Sequence, residues 1–318
     1  MKYVFGPVPS RRLGNSLGVD LVVMKTCSFD CVYCQLGRTT DHTTQRRRFV
    51  PPDDVLAEID QTLASGAEID YITLSGSGEP TLSTDIGTII RAIKERTDIP
   101  VAVLTNGSLL DRPDVQADLA DADLLVPSLD AATPQAFERV NRPAPGLDLQ
   151  AVLRGIRDFS HTFAGHTWLE VMVVAGINDT PDEARAIADA LAGARIHTVH
   201  VNTVARAPAE PWAKPVPDAQ LEELAAILGR LAPVHVIRHY SREGHASYRS
   251  DVVEAILATL ARRPCGAIEL AASLGLAPNL VIKHIEELEH QARIERILVA
   301  DAVQYRLPPA KPHTEPHS

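Results

Sequence analysis

Between residues 17 and 237, short runs of apolar and β-branched residues alternate with longer stretches whose apolar positions recur every three or four residues. The short runs read as buried strands and the longer stretches as amphipathic helices. The pattern predicts strands over 17–23, 71–74, 101–104, 124–128, 168–174, 198–203 and 234–237. Helices are predicted over 52–65, 84–95, 148–163, 181–191 and 218–231, with a weaker one over 113–119. Start signals such as Asp179-Thr180-Pro181 ahead of Asp182 and Glu183 support these assignments. Nearly continuous apolar strands separated by helices imply a parallel sheet. Six such βα units either close partly into a barrel or lie open and doubly wound, and periodicity alone does not choose.

From about residue 248 the pattern changes. Helices are predicted over 252–261, 268–274 and 280–291, with a turn at Gly275, and then two strands, 297–300 and 303–307, around Asp301. Three helices followed by a hairpin is the order of a winged helix-turn-helix. The expected organisation is therefore an α/β domain over 1–245, a winged-helix domain over 248–307 and a disordered Pro- and His-rich tail over 308–318.

Composition narrows the class. Hydrophobic residues make up 45% and aromatics 4%, so the core is built from Ala, Val, Leu and Ile, and wholesale disorder is excluded. No apolar run approaches the ~18 residues of a membrane span, and MKYVFGPVPSRRLG lacks the apolar stretch of a secretory signal. The expected location is the cytoplasm. A net charge of −10 argues against a general nucleic-acid coat. Charge is uneven, however: +5 over 1–50, −14 over 51–247 and −1 over 248–318. Arg11-Arg12 and Arg46-Arg47-Arg48 either steer a phosphate-bearing substrate or form a solvated basic surface.

Three of the four cysteines lie within eight residues, as Cys27-x3-Cys31-x2-Cys34 directly after the first predicted strand. Cys265 stands apart and reads as a small buried hydrophobe. Three thiolates on one loop can converge on a single soft metal centre. A structural zinc ion wants four ligands and would have to recruit His42 or a distant residue. An iron–sulfur cluster on three cysteines leaves one iron without a protein ligand, available to a substrate. With no second cysteine pair to complete a zinc knuckle, the cluster is the favoured reading.

The cysteine motif, with Tyr33 before its last cysteine, resembles the radical S-adenosylmethionine superfamily. Ser75-Gly76-Ser77-Gly78-Glu79-Pro80 after the second strand is similar to that family's GGE-type motif. Thr105-Asn106-Gly107, Ser128-Leu129-Asp130 and Ala175-Gly176-Ile177-Asn178-Asp179 follow at the ends of later strands. In parallel βα folds such strand ends share one mouth, where ligands bind. More narrowly, GPVPSRRLGNSLGVD and SGSGEPTL resemble the iron–sulfur oxidoreductases related to wybutosine synthesis.

This resemblance implies a partial (β/α)6 TIM-type barrel and an enzyme that generates a 5′-deoxyadenosyl radical. Its implied cofactors are a [4Fe–4S] cluster on Cys27, Cys31 and Cys34 and S-adenosylmethionine chelated to the fourth iron. Gly78 and Glu79 would receive the methionyl ammonium, and Tyr33 would lie beside the cofactor. Asn106, Ser128 and Asp130 would meet the ribose or the amino-acid end, and Asn178 belongs to the adenine-side turn. Arg142 either pairs with the methionyl carboxylate or makes a surface salt bridge. Asn202 and Arg206 are expected to face the substrate, whereas His197 and His200 are not expected to be ligands. The implied partners are an electron donor such as flavodoxin or ferredoxin and a substrate whose leading class is tRNA or another nucleic acid. No membrane is expected as a partner. Radical modification of a peptide or protein is the enzymatic alternative, and an iron–sulfur redox sensor the non-enzymatic one. Glu286, Glu287 and Glu289 on the third helix of the winged module argue against duplex DNA as its partner.

Overall fold

The computed structural model describes residues 2–10, 12–237, 250–261, 263–299 and 302–308. Arg11, the expected domain junction at 245–248, the turn at Asp301 and the tail from 309 lie outside the described residues. The chain divides into two compact units, Met1–Gly244 and His245–Ser318.

The first unit opens with a hairpin of β1 (Val4–Ser10) and β2 (Gly14–Val19), and two short paired strands follow, β3 (Thr26–Cys27) and β4 (Asp41–His42). Then come α1 (Pro52–Ala64), β5 (Tyr71–Leu74), α2 (Ile86–Lys94), β6 (Val101–Thr105), α3 (Pro113–Leu119), β7 (Leu124–Pro127) and α4 (Pro134–Val140). The remainder is α5 (Leu149–Thr162), β8 (His166–Val173), α6 (Pro181–Ala190), β9 (Thr198–Thr203), α7 (Asp218–Leu228) and β10 (Val234–Ile237). Eight strands form one sheet in the order β1-β2-β5-β6-β7-β8-β9-β10. Every pair from β2 to β10 is parallel, and only β1 runs antiparallel. Mixed α/β architecture around a parallel sheet is thus the observed fold.

Side-chain alternation decides what each face of the sheet does. Leu17, Val19, Ile72, Leu74, Val101, Val103, Leu169, Val171, Val199 and Val201 join the large core that includes Val55, Ile59 and Ile89 from the helices. On the opposite face Leu13, Ala102, Leu124 and Val126 form a smaller apolar cluster with Tyr71, Leu104 and Trp168 against it. Farther along the strands the same parity becomes polar, with Asn106, Ser128, Glu170, His200 and Asn202. The apolar cluster closes one end of this face, and polar chemistry collects toward the carboxyl ends of the strands.

Three local expectations need correction. The strand expected over 17–23 runs instead from Gly14 to Val19, because Asp20 turns its carboxylate to the Val22 and Ser77 N–H groups and ends the ladder. β1 was not expected, since Gly6, Pro7 and Pro9 argue against a strand; at the sheet edge the missing N–H groups cost no ladder bonds. α4 is too short to show periodicity, yet its start is explicit: the Thr133 hydroxyl accepts from Ala136 N–H, and Pro134 occupies the first turn.

The second unit contains α8 (Ser250–Leu260), α9 (Ala267–Leu274) and α10 (Pro278–His290), then the antiparallel pair β11 (Glu295–Val299) and β12 (Ala302–Arg306). Gly275 ends α9 at φ +62°, a left-handed cap that suits glycine. Glu289 of α10 is held by a bidentate pair with Arg296 of β11. Cys265 is buried beneath the backbone bonds it exchanges with Tyr305. Among the described residues no helix is long and apolar enough to cross a membrane.

Candidate metal and cofactor site

The cysteine loop is pinned from several directions. Lys25 N–H donates to the Ser77 carbonyl and Glu79 N–H to the Thr26 carbonyl, which ties the loop to the segment after β5. A side chain at Gly78 would put its Cβ 1.8 Å from the Thr26 carbonyl oxygen, so only glycine permits this approach. From α4, the Asn141 and Val140 carbonyls accept from Asp30 and Val32 N–H. Glu210, in the segment after β9, donates its N–H to the Val32 carbonyl.

Each thiol has its own donor. Lys25 Nζ lies 3.3 Å from Cys34 Sγ. Asn106 Nδ2 and Phe29 N–H both reach Cys27 Sγ at 3.5 Å, and Asn141 Nδ2 reaches Cys31 Sγ at 3.5 Å. The three sulfurs sense one another electrostatically. Burial, and then the Glu79 carboxylate, pushes the Cys27 thiol up to about 12; burial and then Asp130 push Cys31 well above its ordinary value. Such thiols ionise only when a cation or a metal centre offsets the charge. All four cysteines are free. His42, the ligand a zinc ion would recruit, points its Nε2 at the Ser28 carbonyl 3.2 Å away. Among the described residues no three His, Cys, Asp or Glu side chains, the three cysteines included, are drawn together tightly enough for a single metal ion. Three soft donors on one loop, each with an N–H aimed at its sulfur, have the chemistry of an iron–sulfur centre, which is wider than a single ion.

The other predicted residues gather around this loop, several through contacts that sequence does not reveal. Buried Glu79 accepts from the Thr81 and Thr105 hydroxyls, from Thr81 N–H and from Asn106 N–H. Its carboxylate therefore orders two loops. Besides Cys27, the Asn106 amide donates to the Ser28 hydroxyl, and its Oδ1 accepts from Ser108 N–H. Asp130 accepts from the Tyr33 hydroxyl at 2.5 Å, from Asn141 Nδ2 at 2.7 Å and from Met172 N–H at 2.9 Å. Asn178 donates to the Asp130 and Met172 carbonyls and accepts from Val174 N–H, stapling the turn after β8. Ser128 sits half-buried at the end of β7 and bridges to Glu170. Arg142 turns to Glu210 at 2.7 Å and Asp30 at 3.7 Å, the salt-bridge alternative. Arg206 donates to Gln35. Sequence reading missed Lys25 and Asn141. Asn141 sits beside Arg142, and nothing local in the sequence distinguishes it.

The arginine triplet is spent internally. Arg46, with only 6% of its side chain exposed, grips Asp114, Asp118 and the Thr81 and Ser83 carbonyls. Arg47 pairs with Asp41, and Arg48 makes a bidentate pair with Asp85. Arg46→Ala is therefore expected to cost about 2–4 kcal/mol, because it leaves the buried Thr81 and Ser83 carbonyls without their donor and opens two ion pairs at once. Arg47→Ala, which opens a pair exposed on both sides (45% and 41%), should cost less than about 1 kcal/mol and leave the denaturation midpoint nearly unchanged. Urea titration of the two variants checks this contrast.

Asp20 holds the other side of the Gly76–Ser77 turn and accepts from the Ser77 hydroxyl and N–H. Burial pushes its carboxyl up to about 6, against the lowering effect of the Ser77 bonds. A carboxyl raised in the folded state binds protons there that the unfolded chain has already lost, so its contribution to stability falls between about pH 4 and 6. Asp20→Asn should gain on the parent by about 2–3 kcal/mol as pH rises across that window. Unfolding of the metal-free proteins at several pH values measures the difference; parallel curves would refute it.

Comparison with known proteins agrees with this geometry. Residues 21–191 match the family model of the radical SAM superfamily. A UPF0026 protein of Methanocaldococcus jannaschii is 34% identical over 257 residues, 80% of each chain. A Brachyspira hyodysenteriae protein named GTPase Obg is 33% identical over 96% of this chain, but the chain spans only 45% of that relative. In fold, a radical SAM methyltransferase from Sphaerobacter thermophilus aligns with TM-score 0.56 at 18% identity, over 71% of this chain and 67% of that one. Cysteine loop, strand-end motifs and family match coincide, and the chain belongs to the radical SAM superfamily.

Proposed function

We propose that the first unit is a partial (β/α)6 barrel that holds a [4Fe–4S] cluster on Cys27, Cys31 and Cys34 and binds S-adenosylmethionine, and that the substrate is a base of tRNA or another structured RNA. One observation carries the cofactor assignment: three thiols on one loop, each met by an N–H donor from a different part of the site. When bound, the two groups supply reductive cleavage of the sulfonium C–S bond to a 5′-deoxyadenosyl radical. The electron comes from a carrier protein of the flavodoxin or ferredoxin kind.

The chain's own residues have distinct tasks. Lys25, Asn106 and Asn141 offset charge on the three sulfurs, which also tunes the potential at which an electron is accepted. With the Glu79 oxygens committed to Thr81, Thr105 and Asn106, the methionyl ammonium falls to backbone carbonyls of the Gly78 segment. Ser128 is placed for a ribose hydroxyl, while Asp130 and Asn178 act by fixing Tyr33, Asn141 and the turn after β8. The RNA reading rests on the resemblance of SGSGEPTL and its upstream segment to wybutosine-related enzymes. The second unit, with its order of three helices and a hairpin, is read as a winged helix. Its −1 charge over 248–318 leaves few phosphates to neutralise, so it docks RNA or protein in preference to duplex DNA.

Anaerobic protein reduced with dithionite in the presence of S-adenosylmethionine should release 5′-deoxyadenosine. With labelled tRNA, hydrogen from the RNA should appear in that product. Stoichiometric zinc without acid-labile sulfide would overturn the cluster. Label transfer from peptide but not from RNA would overturn the substrate class.

A further inference from the structure

Three buried polar atoms without a hydrogen-bond partner occur in one connected group on the polar face of the sheet: Arg12 Nη1, His200 Nδ1 and Asn202 Oδ1. Native proteins rarely leave such atoms orphaned, and a cluster of them marks an incomplete network. Glu170 connects the group. One carboxylate oxygen forms an ion pair with Arg12 Nη1, which makes no hydrogen bond. The other accepts from Asn202 Nδ2 at 2.6 Å. Glu170 and His200 are direct neighbours in the β8–β9 register, and Met172 pairs with Asn202 one step farther along. Leu129 N–H bonds the Glu170 carbonyl and Met172 N–H bonds Asp130, so the group adjoins the Tyr33–Asp130 side of the cofactor site. Arg12 and Glu170 keep 17% and 16% side-chain exposure, which leaves the group open on one side.

The unmet valences specify a ligand. Arg12 and Glu170 cancel in charge. Burial, followed by the nearby Arg12 cation, pushes His200 down to about 4, so the imidazole is neutral at pH 7. A net-neutral pocket offers no counter-charge to a carboxylate or phosphate. It does offer one N–H donor on Arg12 and one carbonyl acceptor on Asn202, held side by side by the two oxygens of a single carboxylate. A neutral planar edge with an acceptor next to a donor completes both, and His200 Nδ1, donor or acceptor according to tautomer, meets a third polar atom of the same ligand.

We propose that Arg12, Glu170, His200 and Asn202 form the substrate-recognition floor of the site and take the hydrogen-bonding edge of a nucleobase. This rests on the RNA reading above and deepens it: a flipped base would reach the floor directly, while its phosphates stay outside.

The test uses full-length reconstituted protein with S-adenosylmethionine bound and the four ribonucleosides as probes. Trp168, whose ring meets His200 edge-on at 5.3 Å, reports binding by fluorescence in a Trp212→Phe background. At least one nucleoside should bind saturably at millimolar concentration. Asn202→Ala, which removes the acceptor, and His200→Phe, which keeps the aromatic contact, should each weaken binding by about tenfold or more. Glu170→Gln, nearly isosteric, should do the same by releasing Arg12. Release of 5′-deoxyadenosine without substrate, measured on the same samples, shows that each variant is folded and loaded. Failure of that release in the parent would sink the functional reading itself. Intact release with no nucleoside binding, with binding equal in all variants, or with binding of glutamine amide in place of nucleosides would overturn the floor alone.

Discussion

Replacing any one of Cys27, Cys31 or Cys34 with Ala is expected to abolish the iron–sulfur centre. Anaerobically reconstituted parent protein should carry about four irons and four sulfides per chain; each variant should fall close to none, with 5′-deoxyadenosine release at background. The loss is severe because no other thiol stands in reserve. Cys265 lies in the second unit, buried and backbone-bonded to Tyr305, and Cys265→Ala should leave iron and sulfide unchanged. The donors around the sulfurs predict a graded series behind this all-or-none result. Asn106→Ala and Asn141→Ala each remove one N–H from a sulfur without removing a ligand, and should shift the reduction potential while keeping the iron. Iron analysis together with redox titration separates the two classes. Full iron content in Cys31→Ala would mean that the loop does not hold the cluster.

How much of this was legible beforehand depends on the range over which each signal acts. The strands at 71–74, 198–203 and 234–237 match the observed elements residue for residue, because each is a short apolar or β-branched run bounded by abrupt changes in polarity. The cysteine triplet and the strand-end motifs are local patterns, and in the fold Gly78 and Asn106 lie against the cysteine loop. Roles set by long-range geometry were not legible. Glu79 reads as an acceptor for a ligand, and only the fold shows its oxygens taken by Thr81, Thr105 and Asn106. Arg46 looks like surface charge until α3 brings Asp114 and Asp118 against it. His200 gave no sign of function in sequence; its interest comes from Arg12 and Glu170, 188 and 30 positions away. Periodicity reports burial, but partnership across such separations is written only in the folded chain.

Asp130 offers the sharpest test of positioning against direct cofactor contact. Its buried carboxylate takes three protein donors, the Tyr33 hydroxyl, Asn141 Nδ2 and Met172 N–H. Two of these lead back to the cysteine loop: Tyr33 precedes Cys34, and Asn141 also donates to Cys31 Sγ. Asp130→Ala would strand three buried donors at about 1–3 kcal/mol each, so a loss of at least about 3 kcal/mol is expected. The same change frees the Tyr33 ring and the Asn141 amide, and cluster retention should drop before S-adenosylmethionine is added. Tyr33→Phe removes one of the three bonds and should cost only about 1 kcal/mol, with the cluster kept. The order of failure is the readout. If Asp130 works through the loop, Asp130→Ala loses stability and iron together, and its residual activity tracks its residual iron. If the carboxylate instead touches the cofactor, the variant should hold its full iron and lose S-adenosylmethionine binding alone. Iron content, the urea midpoint and equilibrium binding of S-adenosylmethionine on one preparation decide between these outcomes. The three donors already in place favour the first.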